Sequence, residues 1–195
     1  MQPVPPLIRF EGHAIVSADG MIADAHGQMP APLRNDADWR LFQAALDGSA
    51  VVVVGRLGHE RHPNPGRRRL VPTSGVTRLE LDKRDPMAHF WNPAGADIAE
   101  VLRHLSIDAG TVAVTGGKRV FDLFLPRYDA FILSETNRFA LPGGTPAFSA
   151  GHPRQVLAAA GLIPASCETI DVEGDVSLTR WIRPPTPAAG QREGE

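Results

Sequence analysis

The residues that most constrain the fold are a short apolar run that ends at two glycines. Residues 112–115 are rich in β-branched side chains, which is typical of a strand buried on both faces of a sheet. Gly116 and Gly117 end this run, and apolar side chains then recur at helical spacing, beginning with Val120. The pattern predicts a strand that turns through Gly-Gly into a helix. Such a turn exposes backbone N–H groups to a phosphate or pyrophosphate, although the same sequence also serves as a plain tight turn.

Predicted strands and helices alternate along the rest of the chain. We predict strands over residues 8–17, 21–23, 50–54, 68–73, 87–91, 128–134 and 177–182, and helices that start at Asn35 or Asp36, near residue 97, after Gly117 and at Pro153. This order indicates an α/β fold with a largely parallel sheet and antiparallel later strands. The junctions at Gly55 and at Gly116-Gly117 are then expected at one carboxyl edge, where open α/β sheets bind ligands.

Composition narrows the class of protein and its partners. The 195 residues suit one domain over residues 1–183, and residues 184–195, which lack large apolar side chains, are predicted to be a disordered tail. A formal net charge of −2 gives no electrostatic reason to expect nucleic acid or an anionic membrane as a partner. A single cysteine, Cys167, and the absence of a signal-peptide or membrane-span pattern predict a cytoplasmic protein. No Cys/His spacing indicates a metal site.

A series of motifs, taken in order, resembles the dihydrofolate reductase superfamily over residues 8–183. The motifs are Ser17-Ala18-Asp19-Gly20-Met21-Ile22-Ala23, Met29-Pro30, Asp38 with Phe42, Val53-Val54-Gly55-Arg56, Pro65-Gly66-Arg67, and Gly116-Gly117 followed by Phe124-Leu125-Pro126. The resemblance implies a three-layer α/β/α fold with a mostly parallel central sheet and antiparallel C-terminal strands. It also implies an NADPH-dependent oxidoreductase that acts on a small heterocycle, as a monomer or a homodimer.

The resemblance assigns a substrate site to the first helix and the loops around it. It implies that Asp38 is the catalytic carboxylate, hydrogen-bonded to the heterocycle and assisting its protonation, with Phe42 packed on the ring. Met29 would shield the nicotinamide, and Arg67 would pair with a carboxylate of the substrate. Two alternatives stay open: Asp38 only stabilises the first turn of its helix, or Asp36 takes its role.

The same resemblance assigns a cofactor site along the carboxyl edge of the sheet. The residues implied to bind NADPH are Ile22, Ala23, Gly55, Arg56, Thr73, Ser74, Gly116, Gly117, Lys118, Arg119 and Val120. A guanidinium such as that of Arg56 suits the 2′-phosphate. The hydroxyl residue that follows this arginine in relatives is replaced by Leu57, and His59 is expected to substitute for it. For Thr73 and Ser74, a role as ordinary turn residues fits equally well.

Three functions remain open at this point. The first is reduction of a pterin-type heterocycle, as in dihydrofolate reductases. The second is the reductase activity of riboflavin-biosynthesis proteins on a ribosylamino-pyrimidine phosphate. Residues 17–23 resemble those proteins more closely, and Ala31 stands where dihydrofolate reductases have a tryptophan. The third is a non-catalytic nucleotide-binding protein with the same fold.

Overall fold

The structure is a computed structural model that describes residues 7–62 and 64–185. The strands are β1 (Ile8–Val16), β2 (Met21–Ala23), β3 (Val51–Val53), β4 (Arg69–Pro72), β5 (Leu79–Leu81), β6 (Ala88–Trp91), β7 (Gly110–Val114), β8 (Ala130–Thr136), β9 (Thr145–Pro146), β10 (Ile163–Asp171) and β11 (Val176–Ile182). The helices are α1 (Asp36–Asp47), α2 (Arg56–Arg61), α3 (Ile98–His104), α4 (Lys118–Phe124) and α5 (Pro153–Ala159). Most of the predicted tail lies outside the described residues.

A nine-stranded sheet forms the centre of the molecule, in the order β10-β11-β8-β1-β7-β3-β4-β6-β5. Strands β8, β1, β7, β3, β4 and β6 run parallel to one another. The C-terminal strands β11 and β10 join antiparallel at one edge, and β5 joins antiparallel at the other. The predicted fold class is confirmed, with a parallel centre and antiparallel C-terminal strands.

Helices cover both faces of this sheet. On one face α1 packs Leu46 and Phe42 against Val52 and Ala113 of the central strands. On the other face residues of α3, α4 and α5 join a larger cluster with the central valines, among them Val114. The sheet is therefore the middle of three layers, which explains why all three residues of β3 are buried.

Local signals account for the ends of several elements. Asn35 caps α1, because its side-chain carbonyl accepts hydrogen bonds from the backbone N–H groups of Ala37 and Asp38. Trp39 of α1 is 56% exposed, with its ring 5.8 Å from that of Phe42. No helix in the described parts of the chain is both long and apolar enough to cross a bilayer.

The sequence patterns missed the two strands at the edges of the sheet and the short strand β9. Seven of the nine residues of β10 are exposed, so this strand lacks the alternation of apolar and polar residues that predicts a half-buried strand. In β5, Leu79 is only partly buried, and both following residues are exposed. Edge strands of this kind are stabilised by backbone pairing with a neighbour distant in sequence, which no local pattern records.

Candidate active site

The two glycine junctions meet at the carboxyl edge of the parallel strands. Because β3 and β7 are neighbours, Gly55, after β3, and the Gly116-Gly117 turn, after β7, lie side by side. The backbone N–H of Gly55 donates to the carbonyl of Gly116 at 2.7 Å. A Cβ on Gly55 would lie 3.2 Å from the Gly116 oxygen and 3.2 Å from the Gly117 nitrogen. The expected position of both junctions at one edge is confirmed, and the edge is lined by bare backbone.

Strand β2 carries Ile22 and Ala23, two of the residues implied to bind NADPH, and Ile22 reaches the Gly116-Gly117 turn. A Cβ on Gly117 would lie 3.9 Å from the terminal methyl of Ile22, so this side chain borders the turn. Ala23 is buried and pairs with Thr145 of β9. The turn before β2 is held by Asp19, whose carboxylate accepts a hydrogen bond from the backbone N–H of Leu141 at 3.0 Å.

Exposed cations lie near this edge at the start of α2 and α4. The Arg56 side chain is 61% exposed and pairs with Glu60 one turn later, at 2.9 Å. Arg119 is exposed, and Lys118 is partly exposed. An exposed ion pair such as Arg56–Glu60 contributes little to stability, so the Arg56 guanidinium can exchange Glu60 for a bound anion.

The hydroxyl and imidazole side chains near this edge differ in whether they can hydrogen-bond to a ligand. The Thr73 hydroxyl accepts a hydrogen bond from the backbone N–H of Gly75 at 3.1 Å, as in an ordinary turn, whereas Ser74 is exposed. His59 is buried and lies 3.0 Å from the Asp82 carboxylate. The expectation that His59 replaces the missing hydroxyl is therefore wrong, because Asp82 holds the imidazole beneath α2.

Asp38 lies on the first turn of α1, over the sheet. Burial raises the pKa of its carboxyl, and the nearby Ser134 hydroxyl and the charge of His13 only partly offset this rise. The Ser134 hydroxyl, on β8, is buried and forms no well-aligned hydrogen bond with any described residue. Asp36, by contrast, is exposed. Burial thus distinguishes Asp38, whose carboxyl has a raised pKa, from the exposed Asp36.

Phe42 follows Asp38 by one helical turn on the same face of α1. Its ring meets the His13 ring edge-on with centroids 6.0 Å apart, and it lies 5.8 Å from the ring of Trp39. An aromatic side chain and a carboxyl group thus share one side of the helix, as the spacing predicted. Sequence reasoning missed His13 and Ser134, because only strand register brings them beneath this helix.

The predicted substrate residues Met29 and Arg67 have different surroundings. Met29 is 41% exposed, on a loop that Arg61 of α2 contacts through the carbonyl of Gly27 at 3.0 Å. The Arg67 guanidinium is already engaged within the chain. Asp47 Oδ1 accepts hydrogen bonds from its Nε at 2.9 Å and its Nη2 at 2.6 Å. The side-chain oxygens of Gln43 and Asn64 accept two more, at 2.9 and 3.0 Å. A substrate carboxylate would have to compete with these acceptors.

Two further features of the described residues bear on the location of the site. Among residues 7–62 and 64–185, no group of three His, Cys, Asp or Glu side chains is placed to hold a metal ion. A cavity of about 500 Å³ lies near the amino ends of the parallel strands, between α3 and the start of β1. Its wall is formed largely by apolar side chains such as Phe10 and Leu102. Because it lacks the glycine turns and Asp38, we assign the candidate site to the carboxyl edge instead.

Comparison with known proteins establishes the fold by structure and not by sequence. No known family pattern and no curated protein matches the chain by sequence. A Shewanella sp. PV-4 protein assigned to riboflavin biosynthesis matches with a TM-score of 0.66 and 16% identity, over 91% of this chain and 99% of that one. Dihydrofolate reductase from Enterococcus faecalis, complexed with NADP(H), matches with a TM-score of 0.64 and 16% identity, over 90% and 96%.

A bifunctional protein gives a third match of the same quality. The diaminohydroxyphosphoribosylaminopyrimidine deaminase/5-amino-6-(5-phosphoribosylamino)uracil reductase of Thermotoga maritima matches with a TM-score of 0.65 and 17% identity. The match covers 90% of this chain but only 56% of that one. At identities this low, the three likenesses establish a shared fold and leave the activity to be argued from the site.

Proposed function

From the dihydrofolate reductase-like fold of this chain, we propose that it is an NADPH-dependent reductase that transfers hydride to a pterin-type heterocycle. The observation that carries the proposal is the environment of Asp38. Burial on α1 raises the pKa of this carboxyl, and Phe42 lies one turn away on the same face. The carboxyl edge of the same sheet carries the bare glycine turns. The proposal assigns the proton source to α1 and the surface for the dinucleotide to the glycine turns after β3 and β7.

The residues of the carboxyl edge fit NADPH. Side chains are absent where Gly55 meets Gly116 and Gly117, and a Cβ there would fill the space beside the turn. Ile22 would border the nicotinamide, and Arg56 would pair with the 2′-phosphate. The bound cofactor supplies hydride, and the protein contributes alignment and a proton.

Asp38 supplies the proton in this proposal. A carboxyl group with a raised pKa keeps a larger protonated fraction near neutral pH than an exposed aspartate does. Its second oxygen can accept a hydrogen bond from an amidine-like edge of the heterocycle, while Phe42 packs on the ring face.

A second candidate is reduction of a ribosylamino-pyrimidine phosphate in riboflavin biosynthesis. Two observations favour it: Ala31 stands where dihydrofolate reductases have a tryptophan, and the Arg67 guanidinium already pairs with Asp47. A bound folate would therefore lack the contact with a tryptophan at position 31 and would have to displace Asp47 from Arg67.

The test is a titration of the protein with NADPH, followed by absorbance at the reduced-nicotinamide band after a substrate is added. Oxidation with dihydrofolate but not with the ribosylamino-pyrimidine phosphate supports the pterin reductase. The opposite preference supports the second candidate. NADPH binding without oxidation of either substrate would identify a non-catalytic nucleotide-binding protein. No NADPH binding would contradict the whole proposal.

A further inference from the structure

The segment from β2 through the loop that follows it connects the glycine turn after β7 to the helix after β3. In β2, Ile22 borders Gly117, because a Cβ on Gly117 would lie 3.9 Å from the terminal methyl of Ile22. At the tip of the loop, the carbonyl of Gly27 accepts a hydrogen bond at 3.0 Å from Nη1 of Arg61, the last residue of α2. The segment therefore contacts the two elements between which the proposed cofactor surface lies.

The tip of this loop is a compact turn built on Asp24. Asp24 Oδ1 accepts hydrogen bonds from the backbone N–H groups of His26 and Gln28, both at 2.9 Å. The backbone N–H of Asp24 donates to the carbonyl of Gln28 at 2.8 Å, and the N–H of Gly27 donates to the carbonyl of Asp24 at 3.0 Å. These bonds close residues 24–28 on themselves, so we expect the turn to move as one unit.

The Arg61 guanidinium meets two acceptors on this turn. Besides the Gly27 carbonyl, it reaches the side-chain amide of Gln28. With the amide oxygen facing the guanidinium, this oxygen accepts hydrogen bonds from Nη1 and Nη2 at 3.2 and 3.1 Å. A guanidinium is planar and presents its N–H groups in a fixed fork, so it can hold two acceptors at once. Arg61 and Gly27 are 34 residues apart, so the contact joins two distant segments.

A second arginine, Arg34, contacts the same loop from within its own segment. Its Nη2 donates to the carbonyl of Met29, five residues earlier, at 3.2 Å. Of the hydrogen bonds described for residues 24–29, those of Arg61 join the loop to α2.

The exposure of these contacts bears on what they do. Arg61, Gly27 and Gln28 are all exposed, and exposed hydrogen bonds contribute little to the stability of a whole domain. The Arg61 contacts are therefore poorly suited to hold the fold together. They are suited to an attachment that forms and breaks while the rest of the protein stays folded.

We propose that Arg61 is a positioning residue that latches the loop over residues 24–29 to α2, and that NADPH enters and leaves the site when this latch is open. The inference rests on the proposed function, in which NADPH lies along the glycine turns and Met29 shields its nicotinamide. While Arg61 holds the turn, the loop stays beside the cofactor surface. When these hydrogen bonds break, water takes the place of the Arg61 donors, and the loop moves away from α2. The base of the loop stays in place, because Ala23 pairs with Thr145 of β9.

The first test needs no ligand. ¹⁵N relaxation measures the backbone order parameters of Gly27 and Gln28 in wild type and in Arg61→Ala. The wild type is expected to give values of about 0.85, typical of rigid backbone, and the variant values of about 0.6 or lower. Arg103→Ala is the matched control, because Arg103 of α3 is exposed and donates to a carbonyl within its own helix. Order parameters that are the same in Arg61→Ala and wild type would overturn the proposal.

The second test is the kinetics of NADPH binding, measured by stopped flow. Arg61→Ala is expected to raise both the association and the dissociation rate constants by about fivefold, the factor for losing hydrogen bonds of ordinary net strength, while Kd changes by less than about twofold. Arg61→Lys, which keeps a donor at this position, is expected to fall between Arg61→Ala and wild type. Arg103→Ala is again the control and is expected to bind NADPH at wild-type rates.

The outcomes separate the latch from the proposed function. Wild-type rate constants in Arg61→Ala contradict the latch. A rise in the dissociation rate constant alone also contradicts it, because the loop would then stabilise bound NADPH without controlling entry. If the wild type binds no NADPH, the proposed function fails and the control of entry fails with it. The order parameters at Gly27 and Gln28 then still decide whether Arg61 holds the loop.

Discussion

Gly55 donates its backbone N–H to the carbonyl of Gly116 at 2.7 Å, joining two turns that are far apart in sequence. The contact leaves little room for a side chain at Gly55, since a Cβ would lie 3.2 Å from both the Gly116 oxygen and the Gly117 nitrogen, and the turn would have to shift by a few tenths of an ångström. The shape of the proposed cofactor surface therefore depends on this approach of two main chains.

Gly55→Ala is expected to weaken NADPH binding by about tenfold, which corresponds to roughly 1.4 kcal/mol. The added methyl group must push the Gly116-Gly117 turn away from β3 and so change the cradle. Isothermal titration with NADPH measures the effect. Gly48→Ala is the matched control, because its Cβ would meet only ordinary contacts, at 3.7 and 3.8 Å. Equal affinities for the two variants would remove Gly55 from the cofactor site.

Asp38→Asn is expected to lower turnover by about 100-fold or more while NADPH affinity stays unchanged. The amide keeps the shape of the side chain but cannot supply a proton. Steady-state kinetics and an NADPH titration on the same preparation separate the two effects. Asp36→Asn, the exposed neighbour, is the control and should retain turnover. If Asp36→Asn loses turnover and Asp38→Asn does not, the catalytic assignment moves to Asp36.

Asp38→Asn is also expected to stabilise the folded protein at neutral pH. Burial raises the pKa of Asp38 in the folded state, so the folded protein binds this proton more tightly than the unfolded chain. The wild type therefore loses stability as pH rises from the ordinary aspartate pKa through the raised one, and the variant does not. Urea unfolding from pH 4 to 8 checks this. A variant less stable than wild type across that range would show that Asp38 forms stabilising contacts that outweigh its burial.

Asp82→Asn is expected to destabilise the protein at pH 7, by an amount that shrinks as the solution is acidified. The backbone N–H of Arg84 and the His59 side chain hold the pKa of Asp82 below its usual value. The stabilisation is present above the unfolded-state pKa and is lost as pH falls through the folded-state pKa. Thermal unfolding of both proteins across pH 2.5 to 7 measures it. A difference that does not change with pH would mean that the loss comes from packing and not from charge.

Arg154→Ala is expected to destabilise the protein by about 3 kcal/mol, because it leaves the buried Glu135 carboxylate without its partner. Arg154 Nε contacts both carboxylate oxygens, at 2.9 and 2.8 Å, and Glu135 is only 5% exposed. Arg127→Ala, which removes an exposed pair with Asp97, is the control and should cost about 0.5 kcal/mol or less. Urea unfolding at pH 7 compares them. Equal losses would mean that burial of Glu135 does not decide the effect.

The local elements were predicted wherever the signal lies within a few residues. The valine run predicted β3, Asn35 was one of two predicted caps of α1, and the glycines marked where β7 turns into α4. Each depends on a short pattern of burial, capping or backbone freedom. The edge strands β5 and β10 lack such a pattern, and they exist because a distant strand offers backbone partners.

In the candidate site as well, local spacing determines some features and contacts between distant residues determine others. Asp38 and Phe42 share a helical face by their spacing, which the sequence alone determines. Asp82 holds His59 across a distance of 23 residues, and Asp47 and Gln43 engage Arg67 across 20 and 24 residues. The sequence patterns treated the His59 and Arg67 side chains as available to ligands, because their partners are distant in sequence.

The sequence by itself determined which segments form the central strands and helices and which of their faces are apolar. The tertiary structure alone decided that Gly55 touches Gly116, and that His13 of β1 lies against Phe42 of α1. The physical reason is range: periodicity, caps and turns act within a few residues, whereas strand order and register are set by packing of the whole sheet. The chemistry proposed for this chain depends on these tertiary contacts.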